Sequence, residues 1–310
     1  MTTKTQTANI KMNKLKLAAI QHSFQGSKDA TLAYIEHEVV ALSQQHSKTG
    51  VPLQLIALQE LHSNPYFCQS EDVAMFDLAE SYEEEVEFFS ALAKRAHIVL
   101  VTSLFEKRAK GLYHNTAVVF ESDGSIAGKY RKMHIPDDPS FYEKFYFTPG
   151  DLGFCPIETS VGRLGVLVCW DQWYPEAARI MALKGADILI YPTAIGYTPS
   201  DSPQEKQRQL DAWRTIQRAH SIANALPLVA INRVGFEPDN SGAGEGIEFW
   251  GHSFISGAQG EILAESKDTQ DVLVCEVPLD TTQDVRRIWP FLRDRRIDAY
   301  GEIIQRFCLG

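Results

Sequence analysis

The chain has 310 residues, of which 44% are hydrophobic and 23% are charged, so it can bury a large core and has an ordinary globular composition. Its 40 acidic and 30 basic residues give a formal net charge of -10. This charge argues against sequence-independent binding to nucleic acid and against binding to an anionic membrane surface, because both require Lys and Arg. A cationic ligand is compatible with it.

The five cysteines and the N-terminal segment bear on the cellular compartment. An odd number of cysteines at irregular spacing predicts a reducing, cytoplasmic location and no secreted disulfide framework. The apolar stretch at residues 17–20 is too short for the core of a signal peptide or for a membrane span. We expect residues 1–13 to form a disordered tail and residues 14–310 to form a single domain.

Short apolar runs alternate with helical patterns along most of the chain. The first half is predicted to contain, in order, a strand at 15–20, a helix at 29–48 capped by Gly50, a strand at 53–58, a helix at 82–95, a strand at 97–105 and a hairpin at 115–132. The second half is predicted to contain a strand at 165–168, a helix at 175–184, a strand at 187–191, a helix at 203–225, a strand at 226–231, a hairpin at 253–264 and a strand at 271–277.

The predicted turns at 117–128 and 253–264 resemble each other in sequence. Each has an apolar arm, a turn that contains glycine, and then Ser-Ile-Ala or Glu-Ile-Leu-Ala. This similarity indicates two related α/β halves. No run of Pro, Gly, Ser or like charges separates them, which favours two packed sheets with outer helices in one domain. A single doubly wound sheet is the alternative architecture.

Cys169 lies where a buried strand stops and a helix is about to begin. Backbone N–H groups that are free at such a turn stabilise an anion beside the sulfur. A nearby cation would lower the pKa of the thiol and favour the nucleophilic thiolate. The alternative is a small buried hydrophobic residue, and we give that interpretation to Cys68, Cys155, Cys275 and Cys308.

Two further polar residues follow predicted strands. Glu60 closes an apolar run, where a carboxylate is costly unless it is paired or hydrogen-bonded, and Lys132 follows an arm of the first hairpin. Each alone is commonly the solvated end of a strand. Because the carboxyl ends of strands gather at one edge in α/β folds, Glu60, Lys132 and Cys169 together indicate a shared site.

Several motifs give the chain a specific resemblance, which runs from residue 14 to 299. They are Ala57-Leu58-Gln59-Glu60, the segment 130–136 (Tyr-Arg-Lys-Met-His-Ile-Pro), the segment 146–151 (Tyr-Phe-Thr-Pro-Gly-Asp) and Val168-Cys169-Trp170-Asp171. On these motifs the sequence resembles the nitrilase superfamily. The resemblance implies a four-layer αββα sandwich, that is, an α/β fold of the nitrilase type, and assembly into homo-oligomers built from dimers.

Within the superfamily the chain is most similar to the bacterial and plant N-carbamoylputrescine amidases. The motifs 169–176, 191–196 and 289–296 carry this similarity. Many related amidases have an arginine at the position of Trp173, and nitrilases proper have a glutamate at the position of Asp171. Both differences favour the carbamoylputrescine branch.

The resemblance also implies residue roles. Cys169 is the nucleophile, Glu60 the general base and Lys132 the cation that stabilises developing negative charge. Glu143 matches a second glutamate that supports the triad, and the backbone N–H of Trp170 completes the oxyanion site. This chemistry requires no metal and no cofactor.

The implied substrate is a small cationic ureido compound, so a carboxylate is expected at the far end of the pocket. Asp171 and Asp201 are candidates for this group, and Trp173 and Tyr197 are candidates to flank the methylene chain. For the acids the alternative is a solvated loop or turn, and for the aromatic residues it is core packing. Other functional alternatives are a different N-carbamoyl amine or acid, a small aliphatic amide, or a catalytically silent binding subunit.

The remaining motifs give little evidence about function. The glycine-rich segment 242–246 lacks the spacing and the following helix of a dinucleotide loop and is interpreted as a loop. The nine histidines show no metal-ligand spacing, and His134 is expected to be a structural hydrogen-bonding residue. The arginines at 286, 287, 293, 295 and 296 are expected to form ion pairs or a subunit contact.

Overall fold

The structure is a computed structural model that describes residues 14–47, 51–242 and 244–308. Two six-stranded sheets pack face to face between two pairs of helices. The predicted αββα sandwich is therefore confirmed, and a single doubly wound sheet is excluded. The predicted tail at 1–13 and the predicted cap at Gly50 lie outside the described residues.

The first half of the chain forms one sheet and its helices. Its elements are β1 (Lys14–Gln21), α1 (Lys28–Ser47), β2 (Leu55–Leu58), α2 (Tyr82–Ala96), β3 (Val99–Ala109), β4 (Leu112–Phe120) and β5 (Ile126–Arg131). A short helix, α3 (Glu143–Tyr146), follows.

The second half forms the other sheet, a small third sheet and a last strand that joins the first sheet. Its elements are β6 (Ile157–Thr159), β7 (Gly162–Val166), α4 (Pro175–Leu183), β8 (Ile188–Thr193), β9 (Gly196–Tyr197), α5 (Pro203–Asn224), β10 (Leu228–Asn232), β11 (Val234–Glu237), β12 (Ile247–Trp250), β13 (Phe254–Ser256), β14 (Ile262–Glu265), β15 (Asp271–Pro278) and α6 (Thr281–Ile288).

The two large sheets have the same topology. The strand orders are β15-β1-β2-β3-β4-β5 and β14-β13-β10-β8-β7-β6. In each sheet the three strands that helices connect are parallel: β1, β2 and β3 in the first sheet, and β7, β8 and β10 in the second. An antiparallel hairpin, β4–β5 or β13–β14, then extends each sheet at one side. The predicted similarity of the two halves is confirmed at the level of topology.

The hydrophobic core explains the near-continuous apolar runs of the central strands. In β1, Leu17 and Ala19 face the second sheet, whereas Ala18 and Ile20 face α1 and α2. Successive side chains of a strand point to opposite faces, so a strand that is covered on both sides needs apolar residues at every position. The inner faces of both sheets, together with α4 and α5, form the largest cluster of buried apolar side chains.

Some elements differ from the sequence prediction. The strand predicted at 165–168 is β7, which ends at Val166, so that Cys169 begins a 3₁₀ turn, Cys169–Trp173. The small sheet β11-β12-β9 was not predicted, because its strands have only two to four residues and show no clear alternation. Among the described residues, no helix combines the length and the apolar character that a bilayer span needs.

His22 and His220 are two of the buried histidines that make the fold sensitive to acid. His22 follows β1 and is fully buried, and His220 lies on α5, where its ring contacts the hydroxyl of Tyr191 at 2.9 Å. Burial lowers the pKa of His22 and that of His220 from 6.5 to about 4. Both rings are therefore neutral in the folded protein at neutral pH, whereas in the unfolded chain they take up protons below about pH 6.5.

We predict that the free energy of unfolding falls as the pH drops from about 6.5 to about 4. Because the unfolded state binds more protons in this range, each histidine lowers the free energy of unfolding by about 1.4 kcal/mol for every unit by which the pH falls. Urea unfolding at several pH values measures the slope, and His22→Gln should flatten it. If the dependence of the unfolding free energy on pH is unchanged in both His22→Gln and His220→Gln, these two histidines are not the cause of the acid sensitivity.

Candidate active site

The carboxyl ends of the parallel strands bring the candidate residues together. Glu60 lies just beyond β2, Lys132 directly follows β5, and Cys169 lies just beyond β7 in the other sheet. The backbone N–H of Glu60 donates to the carbonyl of Thr193 at the end of β8, at 3.3 Å, which aligns the edges of the two sheets. The structure thus places the three residues at one shared edge.

Lys132 lies between two carboxylates. Its Nζ donates to Glu60 Oε1 at 2.8 Å and to Glu143 Oε2 at 2.6 Å, and all three side chains are buried. The hydroxyl of Tyr66 donates to the other oxygen of Glu143 at 2.8 Å. Because water is excluded, these charge-assisted hydrogen bonds hold the ammonium in one position.

The charges of this cluster shift its protonation equilibria. Burial alone would lower the pKa of Lys132, but the carboxylates of Glu143 and Glu60 raise that pKa well above its ordinary value. Burial raises the pKa of Glu143 to about 7, against the opposing effect of Lys132. Two acids share one ammonium, so the cluster carries excess negative charge when both are ionised.

Cys169 begins the 3₁₀ turn in a left-handed conformation, with a φ of 42°. Its thiol donates to the carbonyl of Ala194 at 3.8 Å, and 4% of the residue is exposed. A non-glycine residue in this region is strained, which is common where a chain must present a reactive group at a sharp turn. The geometry matches the predicted position between a strand and a helix.

The protonation of this thiol differs from the sequence expectation. A nearby cation was expected to lower its pKa, and Lys132 does act in that direction. Burial and the negative charge of Glu60 outweigh it, so the pKa of Cys169 is raised well above its ordinary value. The resting group is therefore a neutral thiol, and it can serve as a nucleophile only with a base that removes its proton.

The two oxygens of Glu60 have different environments. Oε1 accepts hydrogen bonds from Lys132 at 2.8 Å and from the Asn115 amide at 2.7 Å. Oε2 is buried and has no hydrogen-bond partner among the residues that the structure describes. One oxygen of this carboxylate is therefore occupied, and the other is open to a proton donor.

Asp171 is held by hydrogen bonds inside the protein, and its role as an ammonium-binding group stays a prediction. Its Oδ2 accepts from the Tyr130 hydroxyl at 2.8 Å and from the backbone N–H of Val168 at 2.9 Å, and its Oδ1 accepts from the backbone N–H and the ring Nδ1 of His134, at 3.1 and 2.6 Å. The carboxylate is fully buried and joins the loop of Cys169 to the loop of Lys132. His134 is a hydrogen-bonding residue, as expected.

The other candidate substrate-binding residues lie on neighbouring loops. Trp173 packs against the core, and its ring meets that of Trp170 edge to face at 6.4 Å. The ring of Tyr197 packs against that of Trp250 in a tilted arrangement, with the ring centroids 4.7 Å apart, and Asp201 accepts from Gln209 at 3.1 Å. Among the described residues, no hydrogen bond or ring contact joins Tyr197 or Asp201 to the triad, so their substrate contacts stay a prediction.

Three residues of the site were missed by sequence reasoning. Arg233 is fully buried after β10, pairs with Glu237, and donates to the carbonyl of Leu61 at 2.8 Å, which fastens the loop that begins at Glu60. Its position after a buried strand is the same signal that identified Glu60. Asn115 lies inside a strand and Tyr66 inside a loop, and neither position carries a comparable signal.

Within the described ranges, no three His, Cys, Asp or Glu side chains are grouped as metal ligands.

A family model for carbon-nitrogen hydrolases matches residues 16–287, most of the chain. The chain belongs to this family, which is part of the nitrilase superfamily. It is 41% identical to an N-carbamoylputrescine amidase of Oryza sativa over 297 residues, covering 94% of this chain and 95% of the relative. It is 38% identical to a citrullinase of Francisella tularensis over 299 residues, covering 96% of this chain and 100% of the relative.

A solved structure supports the same conclusion. The crystal structure of a carbon-nitrogen hydrolase from Helicobacter pylori G27 superposes with a TM-score of 0.93 at 59% sequence identity, and the match covers 95% of this chain and 100% of that one. Both the nitrilase-type fold and the enzyme class, a carbon–nitrogen hydrolase, follow from these similarities.

We predict that Asp171→Asn destabilises the protein by about 2 to 3 kcal/mol, because a buried carboxylate that accepts four hydrogen bonds is replaced by a group that must donate. Urea unfolding measures the change. Asp201→Asn is the matched control and should alter stability by less than about 0.5 kcal/mol. A stable Asp171→Asn variant with a raised KM for cationic substrates alone would instead support the ammonium-binding role.

Proposed function

We propose that this carbon–nitrogen hydrolase converts N-carbamoylputrescine to putrescine, ammonia and carbon dioxide. The observation that carries the chemistry is the buried thiol of Cys169 beside a carboxylate with one open oxygen and a fixed ammonium. The relative of this name at 41% identity supports the choice of substrate. The reaction is proposed for the cytoplasm, where all five cysteines, none of them in a disulfide, would remain reduced.

The first half of the reaction forms a covalent intermediate. The open oxygen of Glu60 takes the proton from Cys169, and the thiolate sulfur attacks the ureido carbonyl carbon. Lys132 and the backbone N–H of Trp170 stabilise the oxyanion. Glu60 then returns the proton to the departing nitrogen, so that ammonia leaves and a carbamoyl thioester remains on Cys169.

The second half regenerates the enzyme. Glu60 takes a proton from water, and the resulting hydroxide attacks the carbonyl carbon of the thioester. The carbon–sulfur bond breaks, the thiolate of Cys169 regains a proton, and the released carbamate decomposes to carbon dioxide and the free amine. Glu143 and Tyr66 take no proton in this scheme and keep the ammonium of Lys132 in place.

A second candidate substrate is citrulline, because the relative named citrullinase is 38% identical over its whole length. Citrulline carries the same ureido group, so the steps at Cys169 would be identical. The two substrates differ at the far end, where one has an ammonium alone and the other has an ammonium and a carboxylate. Other N-carbamoyl amines or acids and small aliphatic amides remain further alternatives.

The test is ammonia release by the purified protein from N-carbamoylputrescine, citrulline, carbamoyl acids, aliphatic amides and nitriles. We expect kcat/KM to be highest for N-carbamoylputrescine, and Cys169→Ala to release no ammonia from any of them. A preference of tenfold or more for citrulline would move the assignment to the second candidate. If the wild-type protein releases ammonia from none, the hydrolase proposal fails and a silent binding subunit becomes the better explanation.

We also propose that the enzyme is a homo-oligomer built from dimers, with the segment after α6 in the contact between copies. Exposed large apolar side chains are concentrated there: Ile288, Trp289, Phe291, Ile297, Tyr300, Ile303, Ile304 and Phe307. Such a density of exposed apolar side chains is typical of a protein–protein contact.

The oligomer is tested by sedimentation of the full chain. We expect dimers or multiples of them in the wild type, and a shift toward monomer when Ile297 and Ile304 are both changed to Asp. Val73→Asp is a control, since Val73 is equally exposed but lies on the other half of the chain. A wild-type monomer would refute the proposal.

A further inference from the structure

We propose that Asn115 is a positioning residue for the general base: its side chain occupies one oxygen of Glu60 and thereby directs the other oxygen to the thiol proton. This inference rests on the proposed function and deepens it. Asn115 lies on β4, is fully buried and is assigned no role by the triad chemistry.

The amide of Asn115 is held in a closed ring of hydrogen bonds. Asn115 Nδ2 donates to Glu60 Oε1 at 2.7 Å, and Ser103 Oγ donates to Asn115 Oδ1 at 3.1 Å. The ring closes because the backbone N–H of Leu61, the residue after Glu60, donates to Ser103 Oγ at 3.3 Å. The ionised carboxylate of Glu60 can only accept hydrogen bonds, so the NH₂ group of the amide must face it, and the amide oxygen of Asn115 is left to accept from Ser103 Oγ.

The same residue also positions the partner of Glu60. The backbone carbonyl of Asn115 accepts from the backbone N–H of Lys132 at 2.9 Å, where β5 ends. The side chain of Asn115 therefore orients the base, and its main chain sets the place of the cation. Both effects come from β4, which is hydrogen-bonded to a neighbouring strand on each side and is therefore a rigid support.

Occupancy of Oε1 has a chemical consequence. The terminal bond of a glutamate rotates easily, so a carboxylate held by one donor can take many orientations. With Asn115 and Lys132 both on one oxygen, any turn of the group away from the observed orientation would break two charge-assisted hydrogen bonds at once. Oε2 is therefore kept free of donors for the proton of Cys169.

The charged and titratable groups around Glu60 come from several elements. Lys132 and Glu143 face it from the loops after β5 and at α3, and Cys169 faces it from the 3₁₀ turn. Arg233, after β10, donates to the carbonyl oxygen of Glu60 at 3.5 Å. Asn115 is the neutral donor among them, so its replacement changes the hydrogen bonding of Glu60 without changing the formal charge of the site.

The test replaces Asn115 by Leu, which has nearly the same volume and no donor. We expect kcat to fall by about 10- to 100-fold with KM changed by less than about threefold, because a hydrogen bond to the charged base is lost and substrate contacts remain. The acid limb of the pH profile should move up by about one pH unit, since the ionised form of the base is less stabilised. Asn224→Leu is the matched control, because Asn224 is an equally buried asparagine on α5.

A second readout does not depend on the substrate. Alkylation of Cys169 by iodoacetamide, followed on the Cys169 peptide by mass spectrometry, reports thiolate formation at each pH. We expect the same shift of the acid limb in Asn115→Leu and none in Asn224→Leu. If the wild type hydrolyses none of the ureido compounds, the proposed function fails, and this profile still decides the role of Asn115.

Ser103→Ala is the milder variant for the case that Asn115→Leu does not fold. It removes the contact that orients the amide, and we expect a shift in the same direction with a loss of about 3- to 10-fold in kcat. The proposal is overturned if the acid limb of the pH profile stays at its wild-type position in both readouts, for Ser103→Ala and for any Asn115→Leu protein that folds. A loss of activity that only follows the folded fraction, with an unchanged pH profile, would do so as well.

Discussion

The ammonium of Lys132, buried between the carboxylates of Glu60 and Glu143, is the interaction on which the site depends. Three charges without water are unfavourable unless each is paired and hydrogen-bonded, and here Tyr66 and Asn115 supply the remaining donors. Burial is the largest cause that raises the pKa of the Cys169 thiol, and the negative charge of Glu60 adds to it, so the thiol stays protonated. The proposed mechanism therefore needs a base next to the thiol, and the cluster supplies the proposed base, Glu60.

The repeated topology of the two halves explains how such a cluster can be assembled. Parallel strands in both sheets end at the same edge, so short loops from distant parts of the sequence meet there. The first half supplies Glu60 and Lys132, and the second half supplies Cys169. Arg233 and Asp171 then fasten loops of one half to loops of the other, so that the relative placement of base and nucleophile depends on the packing between the sheets.

The sequence was informative where a polar residue interrupts an apolar run. Glu60, Lys132 and Cys169 stand at strand ends, so the alternation of apolar segments and the family motifs located all three. Hydrogen-bond partners within the fold were not predictable in this way. The charge of Asp171 indicated a ligand contact, whereas the structure shows four hydrogen bonds inside the protein. Three of them come from Tyr130 and His134, which lie 41 and 37 residues away along the chain, and the sequence cannot reveal such distant partners.

The thiol illustrates the same limit, because its protonation depends on a balance of opposing effects. Proximity of Lys132 alone favours a thiolate, but burial and the charge of Glu60 are stronger. The triad acts on the ureido group, which N-carbamoylputrescine and citrulline share, so it does not by itself distinguish the two proposed substrates. Discrimination between them must come from the residues that flank the site and meet the far end of the substrate, where citrulline carries a carboxylate beside its ammonium.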